Sequence, residues 1–284
     1  MQVIGSGPFK VGDRVQLTDE KGKLYSFFLQ SGGQWHSHKG WINHDDLIGA
    51  NEGVVVTTNN GSAYQAFRPL LNDYVLSMNR GATIIYPKDS AIIVGFADIF
   101  PGAKVLEAGA GSGALSISLL RAIGESGGLT SYEERDDFFS IAQENVKNYF
   151  GELPSNWTLK SGRVEFGKFS GEFDRVVLDM LAPWDVLETA GAALKPGGVL
   201  CCYVATTTQL SRTAEAIKES GKFSEPESFE TLLRNWHHEG LAVRPAHNMN
   251  AHTGFLLFAR KVNEGTKPIR RRRRPAKGAY NETS

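Results

Sequence analysis

The alternation of apolar and polar positions changes rhythm once along this chain, near residue 98. Before that point the runs are short and have period two. Val11-Gly12-Asp13-Arg14-Val15-Gln16-Leu17 alternates, Asp19-Glu20-Lys21-Gly22-Lys23 reads as a turn, and Leu24 to Leu29 resumes an extended pattern. Glycines at 32, 33, 40, 49 and 53 and the Asn59-Asn60-Gly61 turn punctuate the next thirty residues or so, around the β-branched run Val54 to Thr58. This predicts a small all-β module over residues 1–70, followed by a connector over 71–97. Beyond 98, apolar runs alternate with segments of helical period, the signature of a parallel sheet wrapped by helices.

In that second region the pattern predicts strands at Lys104–Ala108, Leu129–Tyr132, Thr158–Lys160, Phe173–Leu178 and Val199–Val204. Helices are expected at Ala114–Ile123, near Asp136–Tyr149, at Trp184–Leu194 and at Gln209–Ser220, with Lys195-Pro196-Gly197-Gly198 stopping the third. Two extended runs, Gly240–Arg244 and Gly254–Val262, close the region and predict a hairpin. A hairpin after five βα units implies a mixed sheet with an antiparallel edge. The fold class is therefore α/β, with this sheet domain spanning 98–264 behind a small all-β domain.

The formal net charge is zero, but it is uneven. From Lys267 onward there are seven cations, five of them Arg270 to Arg274, against the single acid Glu282. That leaves +6 on residues 267–284 and −6 on the rest. Such a block resists folding on itself and suits contact with a polyanion, so 265–284 reads as a solvated basic tail. No apolar run reaches the ~18 residues of a membrane span, and the N-terminus lacks the pattern of a signal peptide. The two cysteines, Cys201 and Cys202, are adjacent in an extended apolar run. Their side chains therefore point to opposite faces and suit buried thiols in a cytoplasmic protein. His36, His38 and His44 lack a further well-placed ligand, and the expectation is that the chain binds no metal.

The strongest chemical signal is Glu107-Ala108-Gly109-Ala110-Gly111-Ser112-Gly113-Ala114-Leu115, three glycines between a strand and a helix. Glycines there let the backbone turn sharply and approach a ligand, and the helix start offers free N–H groups to an anion. Glu133, twenty residues past Gly113 at the end of the next strand, is placed to accept hydrogen bonds from ribose hydroxyls. These features suit an adenosine cofactor, and the glycine spacing by itself leaves nicotinamide dinucleotides open. Glu107 favours S-adenosylmethionine, because a carboxylate there repels a pyrophosphate but suits a methionyl ammonium. The fourth strand runs into Asp179-Met180-Leu181-Ala182-Pro183-Trp184. Ligands of open α/β sheets bind beyond the carboxyl ends of strands. Asp179 is thus expected at the reactive end of the cofactor, with Pro183 and Trp184 on the rim.

The chain resembles the bacterial tRNA (adenine-58-N1)-methyltransferases up to about residue 262. The stretches that carry the resemblance are Tyr86-Pro87-Lys88-Asp89, the glycine loop, Tyr132-Glu133, Asp174 to Trp184, and Tyr203-Val204-Ala205-Thr206-Thr207-Thr208-Gln209. The resemblance implies a Rossmann-like class I methyltransferase sheet with an antiparallel C-terminal hairpin. It also implies S-adenosylmethionine as methyl donor, N1 of a T-loop adenine of tRNA as acceptor, an N-terminal domain that helps hold tRNA, and a homotetramer. On the matched positions it places Gly111, Ser112, Gly113, Ala114 and Leu115 at the methionyl end, Glu133 at the ribose, Asp179 at the target adenine, and Tyr86 and Tyr203 on either side of the extruded base. One departure stands out: after the third strand the chain reads Ser161-Gly162-Arg163-Val164-Glu165, with arginine where an acid for the cofactor's adenine is expected. Three rival readings remain at this stage: a methyltransferase of another substrate, a non-catalytic RNA-binding scaffold of the same fold, and a nicotinamide dehydrogenase.

Overall fold

The computed structural model describes residues 7–81, 83–249 and 251–271. The chain divides into two compact units: residues 1–80 with 144–154, and residues 81–143 with 155–284.

In the first unit the alternating segments form β1 (Arg14–Asp19), β2 (Leu24–Phe28), β3 (Gln34–Ser37), β4 (Gly40–Asn43), β5 (Val55–Thr57) and β6 (Ala63–Phe67). Strands β2, β1, β6 and β5 form an antiparallel sheet in that order, and β3 pairs with β4 in a separate ribbon. The inward positions of the alternation, Val15, Leu17, Tyr64 and Ala66, bury with Phe9, Leu29, Ile42, Leu47 and Val56. The β1–β2 turn is closed by Asp19, whose Oδ1 accepts the Lys21 and Lys23 N–H groups. His44 is buried; it stacks on Phe27 and accepts the Gln30 N–H. A short helix, α1 (Leu71–Ser77), comes next.

The second unit contains α2 (Pro87–Phe96), β7 (Lys104–Ala108), α3 (Ala114–Ile123), β8 (Gly128–Glu133), the start of α4 (Asp136–Phe150), β9 (Trp157–Ser161), β10 (Phe173–Asp179), α5 (Leu187–Ala193), β11 (Leu194–Val204) and α6 (Thr207–Glu219). After them come β12 (Glu227–Phe229), β13 (Trp236–Glu239), β14 (Ala242–Pro245) and β15 (Phe255–Arg260). Pro87 sits in the first turn of α2, where its missing N–H costs nothing. The seven-stranded sheet runs β12-β15-β11-β10-β7-β8-β9, parallel except for β15, which is antiparallel to both its neighbours, β11 and β12. Covered on both faces, the central strands are almost continuously apolar and buried, as parallel sheets require. Successive strands run outward from β7 to β9 on one side and from β10 to β11 on the other. The order therefore reverses between β7 and β10.

The antiparallel edge predicted from the sequence is present, but its partners differ. The run Gly240–Arg244 folds back on 236–239 as β13–β14, and β15 pairs with β11 and β12 instead. The β12 segment (Glu-Ser-Phe) is too short and polar to have been seen as a strand. The preceding helix ends at Ala193, just ahead of Lys195-Pro196-Gly197-Gly198 as expected, but that segment belongs to the strand that follows. These residues bulge from β11, between the pairings Phe173 with Leu194 and Arg175 with Val199. The 3-10 turn at Pro183–Val186 shortens the helix expected from Trp184. Of the arginine run, Arg270 donates to the Lys218 and Phe223 carbonyls and Arg271 pairs with Glu227. Arg272, Arg273, Arg274 and Lys277 lie outside the described residues.

Candidate active site

The strand-order reversal places the carboxyl ends of β7 and β10 side by side, and the glycine loop leaves β7 there. Gly109, Gly111 and Gly113 have φ of 88°, 54° and 82°, left-handed values that side-chain-bearing residues seldom adopt. The loop is tied to β8: the N–H groups of Gly109 and Ala110 donate to the Tyr132 carbonyl, and that of Gly111 donates to Glu133 Oε2 at 2.7 Å. Glu133 Oε1 accepts the Arg135 N–H, so the carboxylate is fixed by two backbone donors and keeps lone pairs for a ligand.

Glu107 is fully buried beneath this loop. Its Oε2 accepts from Ser116 Oγ of α3 (2.7 Å) and Ser131 Oγ of β8 (2.5 Å), and Oε1 has no partner. Burial, opposed by the two serine hydrogen bonds and aided by the charge of Glu133, pushes its pKa up to about 7.

Asp179 ends β10, one strand from Ala108 and in register with Tyr203 of β11. Its pKa also rises to about 7, through burial first and then repulsion from Glu107 and Glu133. Three acids gathered at the carboxyl ends of β7, β8 and β10, two of them with raised pKa values, form a site that a cation would stabilise. After Asp179 the chain turns through Met180 and Leu181. Gln209 fixes that turn: its side-chain N–H donates to the Leu181 carbonyl while its oxygen completes the capping box with Thr206 at the start of α6.

These elements enclose a cavity of about 670 Å³, within the range of nucleoside-sized ligand sites. Asp179, Tyr203, Gly109, Gly111 and Glu133 all line it. The remaining expected site residues do not. Glu107 lies beneath it. Ser112, Ala114 and Leu115 are buried, Ser112 accepting the Gly81 N–H, and Gly113 caps α3. Tyr86 precedes α2 and is half-buried. Pro183 is buried, and Trp184 stacks beneath the Arg212 guanidinium of α6, 4.2 Å from its ring centre.

Other lining residues were not among the expected ones. Thr83 and Ile84 of the connector and Thr253 reach the cavity only through tertiary folding, whereas Met180, the 82% exposed Leu181 and Ala205 stood inside matched stretches without being singled out. Gln209 stood at the end of a matched stretch, and its position three residues after Thr206 is the one local signal that could have singled it out. The departure at Arg163 resolves into a pair: Arg163 Nη2 donates to Glu165 Oε1 at 2.6 Å, both residues line the cavity, and Glu165 Oε2 is buried without a partner.

The site suits S-adenosylmethionine: glycine loop, ribose acid, unpartnered Glu165 oxygen and carboxylate cluster are all present. Comparisons with known proteins agree. The profile of the TrmI-like N-terminal family matches residues 7–56, and that of the tRNA methyltransferase complex GCD14 subunit matches residues 68–242. The chain is 37% identical over 251 residues to tRNA (adenine(58)-N(1))-methyltransferase TrmI of Thermus thermophilus, covering 86% of this chain and 95% of the relative. It is 30% identical over 268 residues to tRNA (adenine(57)-N(1)/adenine(58)-N(1))-methyltransferase TrmI of Methanocaldococcus jannaschii, covering 86% and 93%. Among solved structures, tRNA (m1A58) methyltransferase TrmI from Aquifex aeolicus superposes with a TM-score of 0.80 at 29% identity, covering 90% of this chain and all of that one. A SAM-dependent O-methyltransferase from Thermotoga maritima superposes at 0.84 with 30% identity, covering 93% and 96%. With profile matches across both units and relatives aligned over nearly their full length, the chain belongs to the TrmI family of tRNA methyltransferases, within the class I S-adenosylmethionine-dependent enzymes.

Proposed function

We propose that this protein methylates N1 of adenine 58 in the T-loop of tRNA. The observation that carries the reading is the position of Asp179. Sheet register sets it between the glycine loop at the end of β7 and Tyr203 on β11, so one carboxylate serves both halves of the cavity. Glu133 binds the ribose, and Glu165, held by Arg163, accepts from the cofactor's adenine amine in place of the expected acid. Bound against the glycine loop and Glu133, S-adenosylmethionine would supply an electrophilic methyl group for adenine N1. Asp179 accepts a hydrogen bond from the exocyclic amine of the target base, holds N1 in line and offsets the positive charge that develops on the ring. Tyr203 and Tyr86 flank the extruded base. Stacking of this kind contributes about 1–3 kcal/mol per base, against a few kcal/mol of unstacking.

The basic run from Lys267 supports phosphate contacts with tRNA. The exposed β13–β14 hairpin supports self-association into the homotetramer. Trp236, His238, Val243 and Pro245 share one of its faces, and Leu232, Leu233 and Leu241 are exposed nearby. Two-stranded ribbons are marginal alone in water, and a second copy of this chain is the partner that covers them. The tRNA substrate and the two buried free thiols support a cytoplasmic location, and among the described residues no helix is long and apolar enough to cross a membrane. Nucleoside mass spectrometry of unmodified tRNA after reaction tests the main reading. N1-methyladenosine at position 58, absent with Asp179→Ala, is expected; label on protein alone would refute it.

A further inference from the structure

Lys88 and Asp89, the last two residues of the Tyr86-Pro87-Lys88-Asp89 stretch, have no part in the chemistry described above. Asp89 is fully buried in the first turn of α2, and Lys88 is nearly so. Lys88 Nζ donates to Asp89 Oδ1 (2.7 Å), to the Thr231 carbonyl (2.8 Å) and to Thr253 Oγ1 (2.6 Å), which uses all three of its protons. Asp89 in turn accepts from Thr231 Oγ1 at Oδ1 and from Thr253 Oγ1 at Oδ2, both at 2.6 Å. A closed network thus joins α2, the segment after β12 and the loop before β15, residues more than 140 apart in sequence.

A buried ion pair adds little net stability over apolar side chains of the same volume, but it specifies one geometry. Here that geometry ends at the cavity. Thr253 lines it, and the Thr253 carbonyl accepts the Tyr203 hydroxyl at 2.7 Å. The next residue, Gly254, lies so close to the Tyr203 ring that a β-carbon there would stand 2.3 Å from Cζ. The loop therefore holds the hydroxyl of Tyr203 and packs closely on its ring. His252 holds the same loop on its other side, between Glu230 Oε2 and the carbonyl of Ala205, another lining residue.

We propose that the Lys88–Asp89 pair is a positioning element for methyl transfer, acting through Thr253 to set the Tyr203 ring opposite Asp179. The proposal rests on the reading of Tyr203 as a wall of the target-base site. Neither residue is a catalytic residue, since neither reaches the cavity. Misplacing a wall of a reactive site by about 1 Å costs on the order of 100-fold in rate.

The test compares Asp89→Asn, Thr253→Val and Thr253→Ser, the last retaining the hydroxyl, in full-length protein uniformly labelled with 3-fluorotyrosine. The Tyr203 fluorine resonance is assigned by its loss in Tyr203→Phe. Expected are a shifted or broadened Tyr203 resonance in Asp89→Asn and Thr253→Val, with a wild-type resonance in Thr253→Ser. The kcat for tRNA should fall about 10- to 100-fold in the first two, while S-adenosylmethionine affinity stays within about twofold. If Asp89→Asn does not fold, the two Thr253 variants carry the comparison. An unmoved Tyr203 resonance, or Thr253→Val with wild-type kcat below its melting temperature, would overturn the proposal. Absence of tRNA methylation by the wild-type chain would instead overturn the functional reading, and the fluorine spectra separate the two.

Discussion

A β-carbon built on Gly109 would lie 1.9 Å from the main-chain carbonyl oxygen of Asp179. The glycine loop and the end of β10 are thus in backbone contact, and the first glycine of the motif is required by Asp179 as much as by any ligand. Gly109→Ala should both strain a left-handed residue, at about 1–2 kcal/mol, and displace Asp179. The expected result is a lower Tm together with loss of S-adenosylmethionine binding and of turnover, read by thermal melts and cofactor titration. Wild-type turnover would show that the Asp179 backbone can move without consequence.

In the proposed reaction Asp179 acts as the carboxylate, because only the ionised form offsets the positive charge that develops on the target ring. With its pKa at about 7 in the free protein, kcat/KM at subsaturating S-adenosylmethionine should fall as pH drops below about 7, since this parameter reports the free enzyme. Saturating the cofactor brings a cation among three carboxylates, so the inflection of kcat should move to lower pH. Asp179→Asn should reduce kcat by about 100- to 1,000-fold and flatten the profile. An unchanged inflection in that variant would assign the titration to Glu107.

The same shift has a consequence for stability. A carboxyl whose folded pKa lies above its unfolded value favours the native state at low pH, and that contribution is lost as pH rises through the folded pKa. Without cofactor, Asp179→Asn should therefore match the wild type near pH 4 and exceed it above pH 7, on the order of 1–3 kcal/mol, several degrees in Tm. A variant less stable than wild type at pH 8 would contradict the burial argument.

If the β13–β14 face is covered by a second copy, charges on it should separate the subunits. Trp236→Glu combined with Val243→Glu is expected to lower the solution mass measured by light scattering, with far-ultraviolet circular dichroism unchanged. A wild-type mass for the double variant would remove the hairpin from the assembly.

Much of this protein is set by local pattern. The period-two runs of the first unit, the five apolar strands after residue 98, the glycine loop and the acids Glu133 and Asp179 at strand ends each leave a mark in neighbouring residues. Strand period, turn chemistry and loop stereochemistry act over a few positions, and the stretches that resemble the tRNA methyltransferases are equally local. Which strands pair is a different matter. The three-residue β12 at the sheet edge and the fold-back of Gly240–Arg244 depend on partners distant in sequence, and the Lys195–Gly198 bulge is imposed by register against Phe173 and Arg175.

The site divides in the same way. Spacing marked Asp179, but only sheet order sets it between the glycine loop and Tyr203, and only packing sets Trp184 beneath Arg212. The Lys88–Asp89 network spans 164 residues to Thr253, a separation at which no sequence period survives. Charge makes the contrast plainest: one chain position specifies a carboxylate, but its pKa belongs to the surrounding volume. Desolvation and two neighbouring acids bring Asp179 to about 7, and those neighbours are assembled only when the sheet forms.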